Sequence, residues 1–245
     1  MAPKIKLRAK FLIILIGTSL IPTLIVALIT IPQLQTIQKT QVIKLNQHDA
    51  FQAAEEIATF IRLQFGILDH LITFHPKLSS PSYQGLQELL LENILFKSNS
   101  FVDIALVDND GKEIVRKNVL KTIRAKELAD RSQSQEFISV KAKNAYLSPL
   151  YIIEGKPILI IGKAILNDGA FSGAVLAQID ARVLQETLKN ILANKEIANA
   201  YIVNHEGIII AHSDISNVLA KKNFSNVPAV KILSGDSGIS SLQIY

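Results

Sequence analysis

The chain has 245 residues, 49% hydrophobic and 19% charged, a balance that fits folded domains with real cores and excludes a disordered class. The formal charge of +5 does not describe a nucleic-acid surface: Lys4, Lys6, Arg8 and Lys10 sit in a tail with no acid among the first ten residues, and the remainder nearly balances at 22 basic against 21 acidic. There is no cysteine, which removes thiolate metal sites, catalytic thiols and disulfides together and suits an oxidising exterior.

After the basic tail, residues 1–10, the run FLIILIGTSLIPTLIVALITI from Phe11 to Ile31 carries no charge. As a helix rising about 1.5 Å per residue it crosses a hydrocarbon core of about 30 Å, so 11–32 is the expected transmembrane helix. Its length exceeds that of a signal-peptide core and no A-x-A site follows, which favours an uncleaved anchor over a cleaved signal. The basic start, set against Lys39 and Lys44 beyond the span, puts the N-terminus in the cytoplasm and everything from about residue 33 outside.

Residues 33–75 are the expected stalk helix. Ala50, Ala54, Ile57, Ile61, Phe65, Leu68 and Leu71 follow the three-and-four spacing of one helix face. That stripe fits a homodimer seam and a face buried on its own domain equally well. Prolines and serines between His75 and Ser82 break the helix, and Leu86 to Phe96 is a shorter one. Strand chemistry follows: Phe101 to Asp108, a turn at Asn109-Asp110-Gly111, and Lys112 to Arg116 make a hairpin. Ala145 to Ile153, Pro157 to Leu166 and Ser172 to Asp180 are three further strands, and Ala181 to Leu192 an amphipathic helix. IALVDNDGKEIVR, from Ile104, aligns without gaps with AYIVNHEGIIIAH, from Ala200, at an offset of 96 residues, which implies two similar units. The second unit has strands at Ala200 to Asn204, Ile208 to Ser213 and Gly238 to Tyr245, where the sequence stops, as a fragment of a longer receptor would.

These features resemble the double Cache sensor domains of bacterial histidine kinases, chemoreceptors and diguanylate cyclases. The resemblance covers about residues 33–245 and is carried by Asp130-Arg131-Ser132 with Glu136-Phe137, by Tyr146 through Tyr151, by Gly155-Lys156-Pro157, by Gly173 through Leu176 with Ile179-Asp180, and by Glu206-Gly207 through Asp214. It implies an α+β chain of two tandem PAS-like units with antiparallel five-stranded sheets, membrane-distal at 76–195 and membrane-proximal, truncated, at 196–245. It also implies a small ligand between the distal sheet and the segment after its second strand.

Arg131 lies in that segment and Tyr146 starts the third strand. An Arg grips a carboxylate with two prongs, and a Tyr offers a ring wall and a hydroxyl. On the residues alone, a surface ion pair for Arg131 and core filling for Tyr146 are the simpler readings. Gln178 stands where the family's amino-acid-binding version has an Asp for the ammonium, and Ser132, Gln133 and Ser134 replace its aromatics. The expected ligand is therefore a small carboxylate rather than an α-amino acid, with Lys163 and Asp103 at the pocket edge. His48, His70, His75, His205 and His212 show no metal-ligand spacing, and no phosphate loop or catalytic constellation occurs, so no catalytic residue, metal or cofactor is expected. The parity of His212 with Ile208 and Ile210 reads as a buried, hydrogen-bonded histidine. The function expected is a ligand sensor feeding a cytoplasmic output, first of all a histidine kinase. The alternatives are a chemoreceptor or cyclase sensor, an exported binding module without output, and an anchored hydrolase.

Overall fold

Two prolines and two isolated glycines are the only breakers between Leu7 and Phe74, and one helix, α1 (Leu7–Phe74), covers the whole stretch. The computed structural model describes residues 7–75, 78, 83–192, 201–204, 206–212, 214–227 and 230, and divides the chain into units Met1–Gln52 and Ala53–Tyr245. In the first unit Leu15, Leu20, Ile21, Leu24, Leu28 and Ile29 are all exposed, so this part of the helix has apolar side chains on every side and no single face to bury. In the second unit the stripe behaves differently. Ile61, Phe65, Leu68 and Leu71 are buried in the domain's own core, although Phe51–Phe74 is long and apolar enough to cross a membrane by length and composition. From Ile61 onward the stripe is thus a core face.

The chain continues with α2 (Gln84–Lys97), β1 (Phe101–Asp108), β2 (Glu113–Asn118), a 3-10 turn at Ala125–Glu127 and α3 (Gln135–Lys143). Then come β3 (Ala145–Leu147), β4 (Tyr151–Ile153), β5 (Lys156–Asn167), β6 (Ala170–Asp180) and α4 (Arg182–Leu192). The strands form one antiparallel sheet in the order β2-β1-β6-β5-β3, with β4 also on β5.

The sheet has six strands where the resemblance implied five, because the expected strand Ala145 to Ile153 is broken at Ser148-Pro149. Proline has no N–H for the ladder. Ser148 bridges the gap: its N–H donates to the Ile160 carbonyl and its hydroxyl oxygen accepts the Ile160 N–H, both at 2.8 Å. Helix α3 lies outside the elements expected from sequence. Ser134 caps it by accepting the Phe137 N–H at 3.3 Å, and Asn144, left-handed at φ 64°, ends it.

Alternation along the strands gives the sheet two faces. One carries Ile104, Leu106, Leu159, Ile161, Val175 and Ile179 against α1, α2 and α4. The other carries Val107, Ala164, Ala174 and Leu176 against Phe137 and Val140 of α3. Gly162 lets α3 come this close, since a Cβ there would lie 2.5 Å from Val140 Cγ2.

The second copy of the repeat forms β7 (Tyr201–Val203) and β8 (Ile209–His212), followed by α5 (Ile215–Leu219). Its last expected strand, Gly238 to Tyr245, lies outside the described residues. The two hairpin turns agree atom for atom. Asp108 Oδ1 accepts the N–H groups of Asp110 and Lys112, and Asn204 Oδ1 accepts those of Glu206 and Ile208. Gly111 and Gly207 both have positive φ, and their carbonyls accept the N–H groups of Arg131 and Phe224 at 2.6 and 2.7 Å. Ile209, Ala211 and Val218 join the same apolar cluster as α1 and the sheet.

Leu68, fully buried, tests the assignment of this part of α1 to the core. Leu68→Ala should cost about 2–5 kcal/mol of stability in urea unfolding of the detergent-solubilised chain. Leu63→Ala, on the exposed side of the same helix, should change it by less than about 0.5 kcal/mol.

Candidate functional site

The chain returns from β2 to the first hairpin before entering α3, and this return fixes Arg131. Glu113 N–H donates to the Ala129 carbonyl at 3.0 Å, and Asp130 bridges to Lys112. Gly111 is required here, since a Cβ would lie 2.5 Å from Ser132 Cα. The Glu113 side chain is fully buried and accepts the Ala129 N–H and Arg131 Nε, each at 2.8 Å. Arg131 Nη1 stands 3.5 Å from Glu136 in the first turn of α3. An alternating line of charge continues along β2 and β1. Arg116 lies 3.8 Å from Glu113 and forks onto Asp103 at 3.0 and 3.1 Å, while Asn118 Nδ2 donates to Asp103 at 2.7 Å. Burial opposes the charge on Arg116, but the hydrogen bonds and attraction to Asp103, with Glu113 beyond, outweigh it and hold its proton more firmly than usual.

Asp103 faces Gln178 across the β1–β6 ladder. The Gln178 side chain is half-buried and has no hydrogen-bond partner among the described residues. Tyr146, opposite Gly162 on the same face, is half-buried beside Phe137, Val140 and Leu176. Burial, then a hydrogen bond with the Tyr151 hydroxyl, then the nearby charge of Glu136, push the Tyr146 phenol well above its ordinary range. Arg131 is thus paired with Glu113 and Glu136, Arg116 with Glu113 and Asp103, and Gln178 lies opposite Asp103 on the ladder.

Four of the five candidates thus share one face. Lys163 does not: its side chain is on the opposite face, paired with Asp69 of α1 at 2.9 Å, because its neighbours on β5, Gly162 and Ala164, take the α3 side. A shallow depression of about 340 Å³ lined by Asp110, Ser132, Phe137, Ile138, Lys141 and Ala142 contains none of the five. Glu113 and Arg116 are not singled out by the sequence, and Glu136 and Tyr151 enter there only as part of the resemblance, not as site candidates. For Glu136 a signal exists in the Ser134 cap and the Phe137/Val140 spacing, which put it in a helix's first turn five residues after Arg131.

The second hairpin lacks this chemistry. Phe224 holds the backbone place of Arg131, while Ile209 and His212 hold those of Glu113 and Arg116 at the repeat offset. Tyr201, His212 and Phe224 form an aromatic cluster there, with Phe224 edge-on to both partners. His212 is buried and its Nδ1 accepts the Asp214 N–H at 2.9 Å.

The family model described as Cache domain matches residues 34–243. The chain belongs to the Cache domain family. Protein IcfG of Synechocystis sp. is 32% identical over 107 residues, which are 42% of this chain and 17% of that protein, so the chain spans about a sixth of this relative's length. The sensory domain of the Campylobacter jejuni chemoreceptor Tlp3 is similar in structure at TM-score 0.64 and 15% identity, covering 79% of this chain and 81% of that one. The Pseudomonas aeruginosa amino-acid chemoreceptor PctC, in complex with GABA, matches at TM-score 0.56 and 16% identity over 71% and 76% of the two chains. At these identities the likeness is one of fold. The Cache domain is a ligand-binding module of membrane receptors, not a catalytic one.

Of the five tyrosines, Tyr146 should titrate late. Because the folded state holds this proton more tightly than the unfolded chain, its contribution to stability is present below the ordinary phenol range and lost as pH rises through the folded value. Ultraviolet titration should show a late-titrating phenol in the parent chain that is lost in Tyr146→Phe.

Proposed function

We propose that this chain is the extracytoplasmic ligand-sensing part of a membrane receptor, anchored by the apolar helix at 11–32 with its N-terminus in the cytoplasm, and that its output is a histidine kinase. The carrying observation is a Cache fold in which one sheet face holds half-exposed polar groups, Arg131, Glu136, Tyr146 and Gln178, over an otherwise buried surface. A sheet built only for stability would cover this face with apolar side chains, as α3 does one row away. The solved relatives include chemoreceptor domains holding L-valine, isoleucine and GABA, and the extracellular domain of mmHK1S-Z3, assigned as a histidine kinase. The anchor is supported by the all-round exposed apolar surface between Leu15 and Ile31.

The ligand is a small molecule whose carboxylate docks on Arg131. Nε of Arg131 is committed to buried Glu113, Nη1 is only loosely held by Glu136, and Nη2 has no partner among the described residues. Binding moves the helix if the ligand prefers one arrangement of the domain over another. The two faces share the same strands: β5 points Gly162 at α3 and Lys163 at Asp69 of α1, so a shift of the ligand-side face is felt by the helix. A homodimer joined along the helix before Ile57 fits the burial pattern, since Ile57 and Phe60 already pack against the core that takes up the stripe from there on.

Calorimetry of the full chain in detergent against small organic acids and amino acids tests the ligand site. Arg131→Ala should cost about 2–4 kcal/mol of binding. Arg131→Lys, which keeps the charge but not the fork, should fall between. Unchanged affinity in Arg131→Ala would move the site elsewhere. For the anchor, a reporter fused after Tyr245 should be active only outside the cytoplasm, and activity inside would defeat the topology.

A further inference from the structure

We propose that the loop after β2, together with the end of α2, is a docking surface for an acidic protein segment that carries large apolar side chains; this does not depend on the ligand-sensing reading above. Lys117 of β2 reaches Glu88 and Glu92 of α2 at 2.9 and 2.7 Å, which sets the strand beside the helix. Two residues on, the Val119 N–H donates at 3.0 Å to the carbonyl of Val102, near the start of β1 and just past the end of α2. The loop and the end of α2 therefore share one end of the sheet. There Phe96, Val119 and Leu120 are 89%, 56% and 68% exposed, and Lys97, Lys121, Arg124 and Lys126 are exposed with them. None of these four cations makes an ion pair among the described residues. The acids nearby are already engaged: Glu88 and Glu92 by Lys117, Asp103 by Arg116 and Asn118, and Glu127 by the Arg124 N–H at 2.8 Å.

Three large apolar side chains gathered at an exposed place mark a contact surface, and unpaired positive charge around them selects an acidic partner. A bare polyanion would use the cations but gain nothing from Phe96 and Leu120. A protein segment uses both, seating apolar anchors within a charged rim. The shape of the loop is set before contact. Asn118 Oδ1 accepts the N–H groups of Leu120 and Lys121 at 2.8 and 3.2 Å, and Glu127 holds the other end through Arg124. A loop fixed in advance loses little freedom on docking, which suits a shaped protein partner better than a fluid lipid surface. Asn118 also donates to Asp103, so the docking loop is tied directly to the buried Asp103–Arg116 pair.

Fluorescence anisotropy with the full chain in zwitterionic nanodiscs, and empty nanodiscs as the blank, tests the surface. The probes are three short synthetic peptides and inorganic polyphosphate. One peptide alternates Glu with Leu and Phe, the second has Lys in place of Glu, and the third has Ser in place of the apolar residues. The first should bind on the order of tenfold more tightly than either control, and added salt should weaken it. Phe96→Ser, Leu120→Ser and Lys121→Glu should each weaken that binding by about fivefold or more. Lys143→Glu, the same charge change at the exposed end of α3, should leave it unchanged. Matched thermal unfolding of the variants excludes a folding defect as the cause. Equal binding of the three peptides overturns the proposal, as does full binding in Leu120→Ser or Lys121→Glu, or an equal loss in Lys143→Glu. Polyphosphate that binds as tightly as the first peptide and is indifferent to Leu120→Ser makes the patch a polyanion surface and overturns the protein partner.

Discussion

The central pair β5–β6 is apolar on both sides, and the rest of the domain follows from the need to cover both. Nearly every position from Pro157 to Ile165 is buried, with Lys163 and its Asp69 partner as the exception. A strand pair of this kind cannot face water on either side, so it recruits two different covers. The cover from α1, α2 and α4 is thick and almost wholly apolar. The cover from α3 is short, nine residues, and reaches only part of its face. Along its margin runs a polar strip from Tyr146, packed beside Phe137 and Val140, to half-buried Gln178.

That strip is held by a buried anchor at one end. Glu113 would be costly to bury alone, and it is tolerated because a backbone N–H and the Arg131 guanidinium satisfy it together. The same two contacts fix the loop that delivers Arg131. The comparison with the second hairpin shows how much depends on a few side chains. Both hairpins use the same Asx turn, the same left-handed glycine and the same returning strand, yet Phe224 in the place of Arg131 turns the second one into an aromatic cluster. One scaffold thus supplies a charged, largely buried cluster in its first copy and a packed joint in its second, where Ile209 and Ala211 join the core that also holds α1.

The polar strip and the segment of α1 from Ile57 to Leu71 lie on opposite faces of one sheet. Strand alternation ties the two sides together residue by residue, because a strand displaced on one face carries its neighbours on the other. The Lys163–Asp69 pair is half-exposed and contributes about 0–1 kcal/mol at most, so it serves better as a register mark between β5 and α1 than as a source of stability.

Much of the architecture was legible in the sequence, because it rests on periodicities that survive without neighbours. The breaker-poor run from Leu7 to Phe74, the strand-turn-strand chemistry around Asn109-Asp110-Gly111 and the 96-residue offset of the hairpins are all local patterns. The break at Ser148-Pro149 was signalled by the proline, but that Ser148 would stand in for the missing ladder bond depended on Ile160 lying opposite. Only the tertiary structure decided which way the stripe on α1 faced, since a core face and a dimer seam have the same spacing. It also decided that Lys163 belongs to the helix side, and that the charge of Arg131 is met from within by Glu113 and Glu136. Charge pairing between residues 18 positions apart has no period to read; it exists only once the backbone has brought Ala129 and Gly111 together.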